Sequence, residues 1–483
     1  MYKKIALFSL FSGIAITGFA QKNGDKTKII AGIEAKKAEY ADIAHKIWGY
    51  AEPGYLEVKS SALLQEELKA AGFEVKAGVA GIPTAFVASF GSGGPVIGIL
   101  AEYDALPGLS NIDAPEQKAL LAGAAGHGCG HNLFGTASVA AAIAVKDWLK
   151  SSGVKGTIRL YGCPAEEGGS GKVYMVRAGL FNDIDAMLHW HPGNANSASI
   201  SPWLANKSGK FRFYGAAAHA AGAPENGRSA LDAVEAMDNM VNMMREHIPQ
   251  ETRIHYVITH GGEAPNVVPA FAEAYYYVRN PEMQNVKEIW ERVVKAAEGA
   301  ALGTGTTMKF EVTGGTYNML PNVPLSKVMH KNLEIVSGFK YTPEEKAFAE
   351  KIQTTLTGKG KTAPLESATE TIQPFTISTE PRGAASSDVG DVSWAVPTAG
   401  ISTATFIPGS AGHSWQNVAA AGSSIGEKGM ILAAKAIALS AYDLFKSPAI
   451  IEEGKKELAK QRGADFKYEA LLGSREPALD YRK

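Results

Sequence analysis

The stretch Gly126-His127-Gly128-Cys129-Gly130-His131-Asn132 sets a thiol and an imidazole one small residue apart. Such a pair can converge on one metal ion, and flanking glycines let the backbone approach closely. Three further islands carry ligand-type side chains: Pro164-Ala165-Glu166-Glu167-Gly168-Gly169, His189-Trp190-His191-Pro192 and Gly412-His413-Ser414-Trp415. Each is weak alone, because adjacent glutamates are ordinarily solvated and a lone histidine is ordinarily structural. Together they read as one metal site gathered by a fold. A metal lowers the pKa of a water to about 7, where a free carboxylate can take its proton, so the chemistry on offer is hydrolysis.

Those islands need strand ends and loops to carry them. Ile29, Ile33, Tyr40, Ile43 and Ile47 recur at helical spacing and predict one long amphipathic helix, with a second over 59–71. Strands are predicted over 84–90 and 96–101, joined by the glycine turn 91–94, then over 157–163 and 184–190. The Cys-Gly-His loop leads into an alanine-rich helix, 136–149, and His191 falls just past its strand. Ligand-bearing loops at strand ends are where open α/β sheets place their sites. From about Gly209 the pattern becomes β-α-β-β-α-β, a ferredoxin-like unit inserted into the larger domain. The predicted division is 1–20 leader, 21–208 and 322–483 catalytic domain, and 209–321 insert. Residues 341–379 read as a polar surface excursion, 428–445 as an apolar helix, and the charged stretch from Glu452 carries no assignment.

At 483 residues two domains are expected. With 48 basic and 49 acidic residues and no long single-sign run, no basic stripe exists to hold nucleic acid. Lys3 and Lys4 before the apolar run from Ile5 to Ala20 read as a secretory signal cleaved after Ala20, with a retained membrane anchor as the alternative, so a periplasmic or secreted enzyme with no membrane span in its mature form is expected. Cys129 and Cys163 could then pair as a disulfide, but the ligand-rich loop argues for Cys129 on the metal and Cys163 as a small buried residue.

The motifs "AEYDALPG" from Ala101, "GHGCGHNLFGTAS" from Gly126, "YGCPAEEGGSGK" from Tyr161, "WHPG" from Trp190, "AAHAA" from Ala217, "APNVV" from Ala264 and "SSDVGDVSW" from Ser386 stand in order along the chain. In them the sequence resembles the metal-dependent peptidase, aminoacylase and carboxypeptidase family, in the amidohydrolase branch with a Cys-Gly-His metal motif. The resemblance implies a zinc-peptidase-like α/β catalytic domain with an inserted dimerisation or lid domain. It implies two divalent metal ions, zinc or manganese, held by Cys129, His131, Glu167, His191 and His413, with the Cys129 thiolate as bridge. Glu166 is then the general base and Asp104 a supporting residue. Glu102 stands where related branches have a metal histidine, and this branch manages without it. The family pattern takes the histidine directly before the proline, so His189 is read as packing or support.

In the insert, the resemblance implies that His219 reaches the active site of a partner protomer and polarises the scissile carbonyl, with Asn266 and Arg279 as substrate contacts. The implied reaction is hydrolysis of an amide bond to an amino acid, with p-aminobenzoyl-glutamate or a similar conjugate as substrate. The implied assembly is a homodimer, or a pair with a homologous chain. A dipeptidase or N-acyl amino-acid deacylase would use the same site. A non-catalytic metal- or peptide-binding protein would have no use for the second carboxylate, Glu166.

Overall fold

The computed structural model of the chain describes residues 13–380 and 385–482. The predicted leader lies outside the described residues as far as residue 12. A helix, Gly13–Ala35, is followed at once by Lys37–Tyr50, so the predicted single helix is broken at Lys36. Ile29, Ile33, Tyr40, Ile43 and Ile47 are all buried, and the break lets one apolar stripe follow the curve of the core. Among the described residues no helix is long and apolar enough to cross a membrane.

The strands in chain order are β1 (Glu74–Ala77), β2 (Phe86–Ser92), β3 (Val96–Ala101), β4 (Gly156–Gly162) and β5 (Ala186–Gly193), then β6 (Ala205–Tyr214), β7 (Arg253–His260), β8 (Phe271–Asn280) and β9 (Thr307–Thr316), then β10 (Thr398–Ala404). Six of them form one sheet in the order β1-β2-β4-β3-β5-β10. β3, β4, β5 and β10 run parallel, while β1 and β2 extend one side antiparallel. The glycine turn joins β2 and β3 without pairing them, because β4 lies between. β1 has no apolar run to reveal it and is mostly exposed.

β3 and β4 are buried on both faces, as parallel strands under two layers of helix must be. On one side lie the helices His131–Ser152 and Ser424–Lys446, part of the main core with Ile97, Leu160 and Leu188. On the other lie Gly171–Arg177 and Val389–Ala395. The alanine-rich helix presses close on the end of β3: a Cβ at Gly135 would stand 2.7 Å from the carbonyl oxygen of Glu102. That contact is what sets His131 beside Glu102 and Asp104.

β6 to β9 form a second, antiparallel sheet in the order β7-β8-β6-β9, with the helices Ala230–Met244 and Met283–Thr304 on one face. This is the expected β-α-β-β-α-β unit, and it begins at Ala205 rather than 209. The early part of β6, Ala205-Asn206-Lys207-Ser208, has no apolar run, and a register shift at Ser208/Gly209 hides the alternation. In β8, Ala274, Tyr276 and Val278 enter the core, and Tyr275, Tyr277 and Arg279 line the opposite face.

Two expectations are corrected. Residues 341–379 are no mere excursion: Thr342 caps the helix Pro343–Thr354, and Ala349, Ile352, Leu356 and Leu365 join the main core. The stretch from Glu452 is ordered as well. It belongs to the helix Pro448–Arg462, and the segment after it runs back across both domains, with Leu471 and Leu472 buried in different cores.

Candidate active site

The site is built at the carboxyl ends of the parallel strands. Gly130, at φ +74°, occupies a left-handed position that a Cβ would block by meeting Pro192 at 2.9 Å, and from it the helix starts directly at His131. Cys129 is thereby turned toward β5, with its Sγ 3.5 Å from His191 Nε2. His191 lies inside β5 rather than past its end. The strand has already lost β3 as a neighbour after Leu188 and pairs only with β10, so Pro192 breaks no ladder bond there.

The Glu166-Glu167 turn is irregular, as two adjacent side chains serving one site require. Ala165 and Ser170 have positive φ, and Glu167 departs from helical geometry. Three sets of contacts hold the turn. Glu57 accepts the N–H of Ala165 at 2.8 Å, Asp104 Oδ2 accepts the N–H of Glu167 at 2.9 Å, and Tyr481 and Arg482 donate to the Glu167 carbonyl at 3.0 and 2.6 Å.

Two groups of donors result, each with ligand atoms within 4.8 Å of one another: Cys129, His131 and His191, and Cys129, Glu167 and His413. They share Cys129. His413 Nε2 lies 3.2 Å from Glu167 Oε1. A third group, Glu102, His131 and Glu166, adjoins them. Both cysteines are free thiols, and the buried Cys163 donates to the Tyr161 carbonyl. His189 is buried behind the site with its Nε2 unpaired.

The electrostatics fit divalent cations. Glu102, Glu166 and Asp388 crowd around the buried Lys172, whose Nζ lies 2.6 Å from Glu102 and 2.7 Å from Asp388, with Asp104 and Glu167 close by. Burial, with Glu102 and Glu167 nearby, holds the Glu166 carboxyl well above the usual carboxylate range. Burial raises Glu167, but the contact with His413 and the nearby His131 together outweigh it and the group is held low. Burial pushes His191 down to about 4, so its ring is neutral and able to ligate. His131 Nε2 faces Glu102 Oε2 at 3.1 Å and Glu167 Oε1 faces His413 Nε2 at 3.2 Å, ion-pair contacts that lack good hydrogen-bond geometry, so these buried atoms are poorly satisfied by one another. Buried polar atoms of this kind are what a metal would satisfy.

The cleft between the domains, about 680 Å³, has Cys129, Glu166, His191 and His413 on one wall and Asn206, Tyr277 and Arg279 on the other. A larger cavity of about 910 Å³, beside Trp148 and Tyr442, contains none of these donors. Of the expected site residues, the structure brings together Cys129, His131, Glu166, Glu167, His191, His413, Asp104 and Arg279. It does not bring His219 or Asn266 to this cleft: both sit exposed on adjoining loops of the insert, where Ala220 N–H donates to the Asn266 carbonyl at 3.0 Å. Glu57, Lys172, Asp388, Tyr481 and Arg482 were missed. A lysine inside the apolar run GKVYMVR was the available signal for Lys172, and nothing in the charged tail pointed to Tyr481 or Arg482.

A two-domain fold with a cysteine-centred donor set and a free carboxylate defines a metallohydrolase. The chain belongs to the M20 family of metal-dependent peptidases and amidohydrolases, and it is an amide-bond hydrolase. Residues 205–304 match the peptidase dimerisation domain of that family. The chain is 44% identical over 447 residues to one of the subunits of p-aminobenzoyl-glutamate hydrolase of Escherichia coli (strain K12), covering 88% of this chain and 93% of that protein. It is 30% identical to the Xaa-Arg dipeptidase of Mus musculus, covering 86% and 88%. Among solved structures, the Bacillus subtilis dinuclear metal-binding peptidase of the M20 family superposes with a TM-score of 0.58 at 16% identity, covering 86% of this chain and 99% of that one.

Proposed function

We propose that this enzyme cleaves p-aminobenzoyl-glutamate or a closely similar aryl-amide or acyl conjugate of an amino acid. The observation that carries the reading is the convergence of four donors around Cys129, with Glu166 beside them and outside both groups. In this reading Cys129, His131 and His191 hold one divalent ion, and Cys129, Glu167 and His413 hold a second. Bound there, zinc or manganese would supply Lewis acidity and lower the pKa of an attacking water. Glu166 takes that water's proton and returns it to the leaving nitrogen, and a carboxyl held above its usual range suits the second, proton-donating half of that role. Asp104 fixes His131, and Arg279 pairs with a substrate carboxylate.

The substrate follows from the 44% relative, and the dipeptidase reading from the 30% one. The former is itself one component of a multi-chain enzyme, and the dimerisation domain with its exposed His219 and Asn266 loops suits a partner chain, either a second copy or a homologue. Lys3, Lys4 and the apolar run after them support export to the periplasm or beyond. The test is purified protein, stripped by a chelator and reloaded with zinc or manganese, given p-aminobenzoyl-glutamate, an Xaa-Arg dipeptide and an N-acyl amino acid. Metal-dependent release of p-aminobenzoate is expected. Preferential turnover of the Xaa-Arg dipeptide would overturn the substrate assignment, and no turnover of any would overturn the site assignment.

A further inference from the structure

Two guanidinium groups line the cleft without forming an ion pair among the described residues, although Glu166, Glu167 and Asp388 line it too. Arg279 projects from β8, stacks 5.5 Å over the ring of Tyr277, and has its buried Nε unpaired. Arg482 arrives from the segment after the last helix. Its guanidinium lies 4.7 Å over the ring of Tyr481, its Nη2 donates to the Glu167 carbonyl, and its buried Nε is also unpaired. Among the described residues neither has an ion-pair partner. Several other arginines of the same domains are matched: Arg159 with Asp183 at 2.7 Å, Arg212 with Glu273 at 2.6 Å, and Arg475 with Glu311 at 3.2 Å. Charged groups kept part-buried and unpaired in a cleft need a counter-charge from outside the chain.

We propose that Arg279 and Arg482 are a two-guanidinium recognition site that selects amide conjugates of dicarboxylic amino acids, Arg279 taking the α-carboxylate and Arg482 the side-chain carboxylate. This rests on the reading of the cleft as the site where an amide bond to an amino acid is cleaved. A guanidinium presents a planar fork that pairs with a carboxylate through two parallel hydrogen bonds, and two such forks fit two carboxylates. The same pair opposes a cationic leaving group, since the side chain of an Xaa-Arg substrate would add a third guanidinium. Arg482 is tied to the Glu167 carbonyl, so the selecting charge is fixed to the turn that carries the donors and the base. Nothing in the sequence around it, Ala478-Leu479-Asp480-Tyr481-Arg482, marks it as part of a site.

The test compares two conjugates that differ only in the side-chain carboxylate, 4-aminobenzoyl-glutamate and 4-aminobenzoyl-glutamine. The readouts are kcat/KM in the metal-loaded enzyme and calorimetric affinity in the Glu166→Gln background. The wild type should prefer the glutamate conjugate, and Arg482→Gln should collapse that preference ratio by roughly 10- to 100-fold, the usual worth of a charge-assisted pair. A ratio unchanged by Arg482→Gln, with both conjugates weakened alike, would make the residue a structural tie and overturn the proposal. So would a wild type with no preference between the two. Should Arg482→Gln fail to fold, Arg482→Lys, which keeps the charge and loses the planar fork, should lower the same ratio. If neither conjugate is cleaved, the catalytic reading fails by itself. Calorimetry then still decides the clamp, which stands if glutamate-conjugate affinity exceeds that of the glutamine conjugate and falls if it does not.

Discussion

Asp104 Oδ1 lies 2.9 Å from His131 Nδ1, which assigns that nitrogen to the carboxylate and leaves Nε2, 3.1 Å from Glu102 Oε2, as the one to meet a metal. Asp104→Asn should therefore weaken metal affinity by roughly 10- to 100-fold, the usual cost of losing such a partner. Chelator competition measures it. Unchanged affinity would mean that the ring is oriented by packing alone.

Cys129 belongs to both principal donor groups, and its substitution should damage both. Cys129→Ser replaces an ionisable thiol with a hydroxyl that rarely ionises, so at least one metal equivalent should be lost and turnover with it. Elemental analysis of the purified variant reads the outcome; full metal content would remove Cys129 from its bridging position.

Glu166→Gln keeps shape and removes the proton acceptor. Metal content should stay near that of the wild type while turnover falls by about 10²- to 10⁴-fold. Loss of metal instead would exchange the roles assigned to Glu166 and Glu167.

His219 and Asn266 are exposed on the insert, away from their own chain's cleft. If His219 serves a partner's site, His219→Ala should abolish activity with metal binding intact. Co-expression with Glu166→Gln should then restore about a quarter of wild-type turnover, as expected for a symmetric dimer with independent sites and random mixing. Mixed dimers, confirmed by mass, that stay inactive would place His219 outside the partner's catalysis.

Asp391 is buried where it accepts bonds from the Tyr468 hydroxyl at 2.7 Å and the Tyr317 N–H at 2.8 Å, tying the final segment to the insert. Burial pushes its carboxyl up from 3.8 to about 7. The folded state therefore binds this proton more tightly than the unfolded chain. The resulting stability is fully present below the unfolded value and is lost as pH rises through about 7. Between about pH 5.5 and pH 8, the thermal midpoint of the wild type should fall more steeply than that of Asp391→Asn, which has no proton to lose. Parallel profiles would assign the pH dependence to other groups.

The donor set was legible because each member sits in a glycine-rich or proline-marked island, and such islands survive as short strings. The insert was legible from its order of periodicities, and Arg279 from strand alternation. What escaped notice acts through distance rather than pattern. Glu57 holds Ala165 from across the domain, and Lys172 meets Glu102 and Asp388, neither of which is near it in the chain. The apolar residues of 341–379 are spaced for helices but diluted by Thr and Lys, so their burial shows only once the core they join is in place. His191 lies inside β5, beyond the predicted end at Trp190, because the side of the strand left open by β3 tolerates Pro192.

The clasp of Tyr481 and Arg482 on the Glu167 carbonyl has a consequence for biosynthesis. A nascent chain that has emerged as far as His413 already carries all the sulfur, nitrogen and carboxylate donors. The turn holding Glu166 and Glu167 still lacks one of its three restraints until residue 482 is free of the ribosome. A chain ending before residue 481 would keep every donor and lose one of the three restraints on the turn that carries the base.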